Sequence, residues 1–256
     1  MNAVPLLPTA GEFAGRVAVV TGGTDGVGRH LTEALVTLGA EVFFCGTRAA
    51  KGVEVVAELG ARAHYVQVDL RDTGATAAFV AAAGGHRGRI DYLINNAAND
   101  PRTPLEEATV EEFDRLIAIN LRPYFVTSKA ALAFLKKGEG KAVVNLCTTN
   151  YMLGHVPFTL YNAAKSGIVG FTRSLAREVG VWGIRANTVS PGWIMTSKQL
   201  REHVTEEDKK ELLATQAMKF LLTEEHVTPL TLFLLSAAAR GITGQNVVVD
   251  GGKVMQ

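Results

Sequence analysis

Short β-branched runs alternate with longer segments of helical spacing along nearly the whole chain, and that alternation leaves few folds open. Residues 16–21 read as a buried strand between Gly15 and Gly22. Residues 26–38 then place Val27, Leu31, Leu35 and Leu38 on one helical side, and Gly39 closes the helix. The pattern repeats with strands over 41–45, 63–68 and 90–94 and helices over 51–59 and 73–83. Helices over 105–119 and 123–137, a strand over 141–147, a helix over 161–179 and a strand over 184–189 follow. A helix over 223–238 and a short strand over 246–249 complete it. Such alternation predicts an α/β fold, a parallel sheet of about seven strands with helices on both faces. No linker-like stretch or repeat interrupts it, so residues 1–256 read as one domain. Residues 1–14 form a polar-apolar arm, and residues 196–222, charged and helical in pattern, form a lid after a strand end.

Composition removes several classes of function. Lysine and arginine number 26 against 25 aspartates and glutamates, without the basic excess that phosphate binding rewards, so no nucleic-acid partner is expected. No apolar run reaches the roughly eighteen residues of a membrane span, and the N-terminus lacks a signal-peptide pattern. Cys45 and Cys147 stand far apart in apolar stretches, which fits reduced core thiols of a cytoplasmic protein rather than a disulfide framework or a metal site.

The first strand runs into Thr21-Gly22-Gly23-Thr24-Asp25-Gly26-Val27-Gly28. Glycines permit a tight turn and close approach to a ligand, and the helix that starts there offers N–H groups and the positive end of its dipole. A diphosphate fits such a site. The spacing differs from Gly-x-Gly-x-x-Gly, and no Walker-type motif occurs. Taken alone, the turn also reads as an ordinary strand-to-helix connection.

Further along, Tyr161-Asn162-Ala163-Ala164-Lys165 places a phenol and an ammonium one helical turn apart. A nearby ammonium favours phenolate, which predicts a tyrosine pKa below its usual value near 10. Such a tyrosine exchanges a proton with an alcohol or ketone.

In combination these residues resemble the short-chain dehydrogenase/reductase family. The resemblance spans about residues 15–252 and rests on Thr21-Gly22-x-x-x-Gly26-x-Gly28, Asp69-Leu70, Asn95-Asn96-Ala97, Asn120, Tyr161-x-x-x-Lys165, Pro191-Gly192 and Val249-Asp250-Gly251-Gly252. It implies a Rossmann-type doubly wound fold and an NAD(P)(H)-dependent enzyme acting on CH–OH groups. Hydride would pass between the nicotinamide and an alcohol or carbonyl carbon. Tyr161 would be the general acid/base, Lys165 would lower its pKa and hold the nicotinamide ribose, and Asn120 would help hold a relay water. The substrate-orienting serine of the family, thirteen residues before the tyrosine, is here Thr148, with Thr149 as the alternative one position on. Threonine keeps the hydroxyl, while its methyl and stiffer χ1 narrow the pocket. The family's Asn-Asn-Ala-Gly reads Asn95-Asn96-Ala97-Ala98. Gly22, Thr24, Asp25, Gly26, Val27, Gly28, Asn96, Ala97 and Ala98 would line the dinucleotide, Asp69 and Leu70 would flank the adenine, and Pro191, Gly192, Ile194 and Thr196 would border the nicotinamide.

The choice of nicotinamide turns on the end of the second strand. NAD-dependent relatives carry an aspartate there that accepts from the ribose hydroxyls. Gly46 holds that position here, followed by Thr47 and Arg48, which suit a 2′-phosphate. Asp25, where many NADP-dependent members are basic, argues for NAD(H). The balance favours NADP(H), with NAD(H) as the alternative.

On the substrate side, Asn99, Asp100 and Arg102, then Asn150, Tyr151 and His155, and Trp193 to Gln199 frame a polar pocket. Asn99-Asp100-x-Arg102 and Pro191-Gly192-Trp193-Ile194-Met195-Thr196 resemble stretches of the aldose dehydrogenases, which makes a sugar or polyol the first expectation. The alternatives are a 3-oxoacyl or other small ketone, or a catalytically silent NADP-binding protein. The family's habit of association predicts a homotetramer or homodimer through the helices of 120–137 and 161–179, whose Val126, Leu132, Phe134, Leu135, Ile168, Val169, Phe171 and Leu175 are apolar.

Overall fold

In the computed structural model, residues 10–255 are described, so most of the N-terminal arm lies outside the described residues. The arm's last turn is a short helix, α1 (Ala10–Phe13), whose Phe13 is fully buried 5.4 Å from the ring of Tyr92. Burying that side chain contributes about 2 kcal/mol. The first half follows as β1 (Val17–Thr21), α2 (Gly26–Thr37), β2 (Glu41–Gly46), α3 (Ala49–Leu59), β3 (Ala63–Gln67), α4 (Thr73–Arg87) and β4 (Tyr92–Asn95). The second half is α5 (Val110–Asn120), α6 (Arg122–Leu135), β5 (Ala142–Leu146), α7 (Asn150–Leu153), α8 (Thr159–Val179), β6 (Arg185–Pro191), α9 (Ser197–Glu202), α10 (Glu206–Thr215), α11 (Glu224–Leu235) and β7 (Asn246–Val249).

The seven strands form one sheet in the order β3-β2-β1-β4-β5-β6-β7, and every pairing is parallel. Alternation along β1 shows how both faces are filled: Ala18 and Val20 join the cluster with Leu31 and Leu35 of α2, while Val17 and Val19 join Phe79 and Val80 of α4. Helices α2 and α11 pack together on the first face, and α4 packs on α6 on the second. The chain builds outward from β1 to β3 and then returns to lay β4 on the other side of β1. That reversal opens a crevice at the carboxyl ends of β1 and β4, where doubly wound sheets bind ligands.

Buried polar groups fasten the strand ends around the crevice. Asn95 Nδ2 donates to Asn145 Oδ1 at 2.9 Å, Asn145 Nδ2 donates to Thr172 Oγ1, and Thr127 Oγ1 donates to Asn95 Oδ1. These bonds tie β4, β5, α6 and α8 into one frame. At the opposite end, buried Arg185 donates to the carbonyls of Leu234, Leu235 and Ser236 and so satisfies the end of α11.

Two helices are shorter than their hydrophobic pattern predicts, one at its start and one at its end. The expected helix from residue 105 starts at Val110, because Thr109 caps it through Oγ1 to the Glu112 N–H and Leu105 stays exposed in a turn. The helix over 223–238 stops at Leu235, where Ser236 turns extended and a short 3₁₀ turn follows. The lid resolves into α9 and α10, the latter opened by a Thr205–Asp208 capping box. Among the described residues, no helix is long and apolar enough to cross a membrane.

Candidate active site

The turn after β1 is shaped by contacts that only glycine allows. A Cβ on Gly28 would fall on the Gly22 carbonyl and Asn96 Nδ2, and one on Gly22 (φ +68°) would meet Ala97 Cα at 2.9 Å. Thr21 locks the same corner: its Oγ1 accepts from the N–H groups of Asn96 (2.9 Å) and Ala97 (3.2 Å), and its carbonyl accepts from Asn96 Nδ2. Asp25 caps α2 by accepting from the Gly26 N–H at 3.0 Å. In the first turn of α2, the N–H groups of Val27 and Gly28 have no earlier helical carbonyl to reach. They face the requirement of a diphosphate: close backbone approach and positive partial charge.

Around this turn lies a cleft of ≈ 540 Å³. It is lined by Gly22, Thr24, Asp25, Gly26 and Val27, by Gly46, Thr47 and Arg48, by Leu70, and by Asn96, Ala97, Ala98 and Asn99. Thr196, Lys198 and Arg201 close it from the lid side. The cleft is long enough to follow β1 to β2 and reach the lid, and the residues present fit a nicotinamide dinucleotide. Asp69 departs from expectation. Val68 and Leu70 line the cleft, but the Asp69 carboxylate is held by Arg71 Nε at 3.0 Å and lies off the lining.

The cation arrangement beside Gly46 is tighter than sequence indicates. Asp25 Oδ2 accepts from Arg48 Nη2 at 2.6 Å and from Lys51 Nζ at 2.7 Å. Burial opposes the charge on Asp25, but these two donors outweigh it and hold the carboxyl below its ordinary range. A Cβ on Gly46 would stand 2.6 Å from Thr24 Oγ1, so any side chain there requires the Thr24 side chain to shift. Lys51 sits inside an ordinary helical pattern with no local signal for this role, and only the fold brings it to Asp25.

A second cavity of ≈ 390 Å³ adjoins the first, and Thr196 borders both. Tyr161, Thr148, Thr149 and Asn150 form one wall. Pro191, Gly192, Trp193 and Ile194 form another, and Asp100, Arg102 and His155 complete the rim. Arg102 lies over the rings of Phe158 (5.4 Å) and Trp193 (5.7 Å). Thr148 Oγ1 accepts from the Asn150 N–H at 3.1 Å, which orients the hydroxyl expected to replace serine. His155 is held below its usual pKa by burial and by the Lys253 charge, so it is a neutral imidazole near pH 7. Two expected rim residues lie elsewhere: Asn99 lines the cofactor cleft, and the Tyr151 hydroxyl accepts from Asn246 Nδ2 at 3.2 Å with its ring outside the wall. Phe158, Asp208, Glu211 and Lys253 also reach the cavity. Their contribution comes from chain segments with no local signal for it.

The expected lowering of the Tyr161 pKa is corrected by the structure. Burial is the largest influence and pushes the phenol well above its usual value, with the charges of Asp100 and Cys147 adding to it. Lys165 is 1% exposed, and burial brings its pKa down from 10.5 to about 8. Its Nζ lies 5.8 Å from the centre of the Tyr161 ring and donates to the Leu146 carbonyl at 3.2 Å and to Tyr124 Oη at 3.5 Å. The i to i+4 spacing does bring the two side chains together, but desolvation of both outweighs their attraction. Asn120 is likewise committed. Its Oδ1 accepts from the Asn99 N–H at 2.8 Å and its Nδ2 donates to the Asn99 carbonyl at 2.9 Å, which fastens the loop after β4.

The lid is latched to that same loop. Asp100 accepts from Lys198 Nζ at 3.0 Å and from Gln199 Nε2 at 2.9 Å, and Gln199 Oε1 accepts from the Trp193 indole at 2.9 Å. Thr196 caps α9 through Oγ1 to the Gln199 N–H. One carboxylate thus joins the β4 loop, the lid helix and the indole that walls the cavity.

Comparison with known proteins agrees with this construction. Residues 22–253 match the family profile described as Enoyl-(Acyl carrier protein) reductase. The chain is 34% identical over 245 residues to a Rhizobium meliloti protein named "Probable galactose dehydrogenase", covering 94% of this chain and 96% of the relative. It is 36% identical over 244 residues to the D-xylose 1-dehydrogenase of Caulobacter vibrioides, with the same two coverages, 94% and 96%. A solved short-chain type dehydrogenase/reductase from Mycobacterium ulcerans superposes with a TM-score of 0.89 at 27% identity, covering 94% of this chain and 90% of that one. With the parallel sheet, the glycine turn at its switch point and the tyrosine-walled cavity beside it, these matches establish that the chain belongs to the short-chain dehydrogenase/reductase family, as an NAD(P)-dependent oxidoreductase acting on CH–OH groups.

Proposed function

We propose that this protein is an NADP(H)-dependent dehydrogenase/reductase of a polyhydroxylated small molecule, with an aldose as the first candidate. The observation that carries the reading is the wall of the Tyr161 cavity. Asp100, Arg102, Asn150, His155, Asp208, Glu211 and Lys253 offer hydrogen-bonding groups on several sides, and Trp193 offers a flat face among shorter apolar patches from Leu153, Val156, Phe158 and Leu212. Sugars present that combination of hydroxyls and a C–H face, whereas a long acyl chain or a steroid needs a continuous apolar wall. The names of the galactose and xylose dehydrogenases among its relatives point the same way.

The bound nicotinamide would supply or accept the hydride. Tyr161 donates its phenolic proton to the carbonyl oxygen in reduction and takes it back in oxidation. Thr148, held by the Asn150 N–H, hydrogen-bonds the same oxygen and sets its position. Lys165 holds the ribose hydroxyls and supplies positive charge below the phenol. With its side chain spent on Asn99, Asn120 serves the relay through its main-chain carbonyl. Arg48 and Lys51 hold the 2′-phosphate of NADP(H), exchanging Asp25 for a doubly charged partner.

A panel of pentoses, hexoses, polyols, 3-oxoacyl thioesters and small ketones, assayed with NADP(H) and NAD(H), tests the reading. Turnover of at least one aldose or polyol is expected, faster with NADP(H). Turnover confined to oxoacyl or steroid ketones overturns the sugar assignment, and binding of NADP(H) with no turnover of any carbonyl supports a silent protein instead.

The same proposal includes association into a homodimer or homotetramer. Leu135, Ile168 and Val169 are buried within the chain, and Leu132, Phe134 and Leu175 pack against its core, so they are not free for it. Val126 and Phe171 are half-buried, and Val110 and Phe113 on α5 and Phe125 on α6 are exposed apolar groups that association would bury. Light scattering after size exclusion reads the state directly.

A further inference from the structure

Glu41, His64 and His86 converge at the amino end of the strands, on the far side of the sheet from the cofactor crevice. Glu41 opens β2, His64 sits on β3 opposite Phe43, and His86 lies in the last turn of α4. One ligand-type atom from each lies within 4.8 Å of the other two. His64 Nε2 is 2.9 Å from Glu41 Oε2, and His86 Nε2 is 3.8 Å from the same oxygen. Both rings are positioned by Phe43, which stacks on His64 at 4.4 Å and meets His86 edge-on at 5.2 Å. Glu41 is largely buried, while the imidazoles keep one side open to solvent.

We propose that these three side chains form a binding site for a zinc-class divalent cation. Two imidazoles and one carboxylate are the donor set that borderline cations prefer, and magnesium and calcium do not. The present separations need only modest rotation of His86 to close on a common ion, because the ring sits at a helix end rather than in the core. The solvent side leaves room for water to complete the coordination. Glu41 Oε1 accepts from Arg87 at 3.1 Å, which leaves Oε2 for the metal and orients the carboxylate. No local spacing marks the site, since its ligands come from two strands and a helix. Bound metal would clip α4 to the edge of the sheet, and because it lies at the opposite strand ends from Tyr161, it would leave turnover unchanged.

Isothermal titration of the chelator-treated full chain with zinc chloride near pH 7.5 tests this. One equivalent is expected to bind, with weaker or absent binding of magnesium chloride and a rise of several degrees in Tm on saturation. His86→Gln, at an exposed helix end, is expected to weaken zinc binding at least tenfold while keeping the apo Tm and the turnover of the parent, and His64→Gln to do the same to binding. No zinc binding by the parent overturns the proposal, and so does binding that His86→Gln and His64→Gln both leave unchanged, since the ion then sits elsewhere.

Discussion

Arg48 donates to Asp25 across 2.6 Å at the mouth of the cofactor cleft, and Lys51 shares the same carboxylate oxygen. Two cations on one carboxylate leave a local positive excess beside Gly46, which carries no acidic side chain. Arg48→Ala should therefore raise KM for NADPH roughly ten- to hundredfold, the worth of one charge-assisted hydrogen bond, and change KM for NADH little. Asp25→Asn still caps α2 but frees both cations, so it should lower KM for NADPH. Steady-state kinetics with each cofactor reads both changes, and an equal effect of Arg48→Ala on the two cofactors removes the 2′-phosphate assignment.

The raised pKa of Tyr161 makes it a proton donor throughout the neutral range. Tyr161→Phe should cut turnover by about 10²–10⁴ while NADP(H) still raises Tm as in the parent. In the parent, alcohol oxidation should accelerate with rising pH, because a phenol that ionises late must lose its proton. A pH–rate series in both directions checks the sign.

Lys165 carries its charge in a site that disfavours it. The drop from 10.5 to about 8 corresponds to about 3 kcal/mol. Below pH 8 both folded and unfolded chains hold the proton and the full penalty is present. Between pH 8 and 10.5 the unfolded chain binds more protons, so stability rises with pH. Lys165→Met should abolish turnover, stabilise the fold by ~2 kcal/mol at pH 7, and flatten that alkaline rise. Urea unfolding at pH 7 and pH 9.5 measures it.

The sheet and the glycine turn were legible because period and spacing report them directly: Val17 and Val19 against Ala18 and Val20, and Gly22 to Gly28 after a strand. Tyr161 and Lys165 were legible as neighbours, but the direction of the phenol's pKa was not, since burial depends on α8 packing over β5 and β6. Tyr151 illustrates the same limit. It lies among rim residues in sequence, yet Asn246, some ninety residues on, takes its hydroxyl. Lys51, Glu211 and Lys253 reach their sites only through the fold, as do the three groups around Glu41.

Asp100 joins the β4 loop to the lid through Lys198 and Gln199. Burial works against its charge, but these donors win and hold its carboxyl below the ordinary range. The latch is therefore present at neutral pH and is lost only as pH falls through that lowered value. Asp100→Asn keeps the shape but weakens the ion pair with Lys198. It should raise KM for substrate several-fold, with a smaller change in kcat, and increase hydrogen exchange in α9. Unchanged exchange in α9 would show that the lid is held by other contacts.

Tyr124 is buried beside Lys165. Its hydroxyl donates to the Leu146 carbonyl at 2.7 Å and accepts from Lys165 Nζ at 3.5 Å. That hydroxyl and the Leu146 carbonyl are the hydrogen-bonding partners that the ammonium has in this structure. Tyr124→Phe keeps the ring and its packing but removes one acceptor from the charged form of Lys165. Loss of an acceptor disfavours the ammonium, so the Lys165 pKa should fall further below its present value near 8. If the ammonium is required for turnover, the alkaline fall in the rate of carbonyl reduction should move to lower pH in this variant, with kcat near pH 6.5 close to that of the parent. A purely structural tyrosine would instead lower Tm and leave the pH at which the rate falls where it was. The kcat–pH profile, measured beside Tm, separates the two.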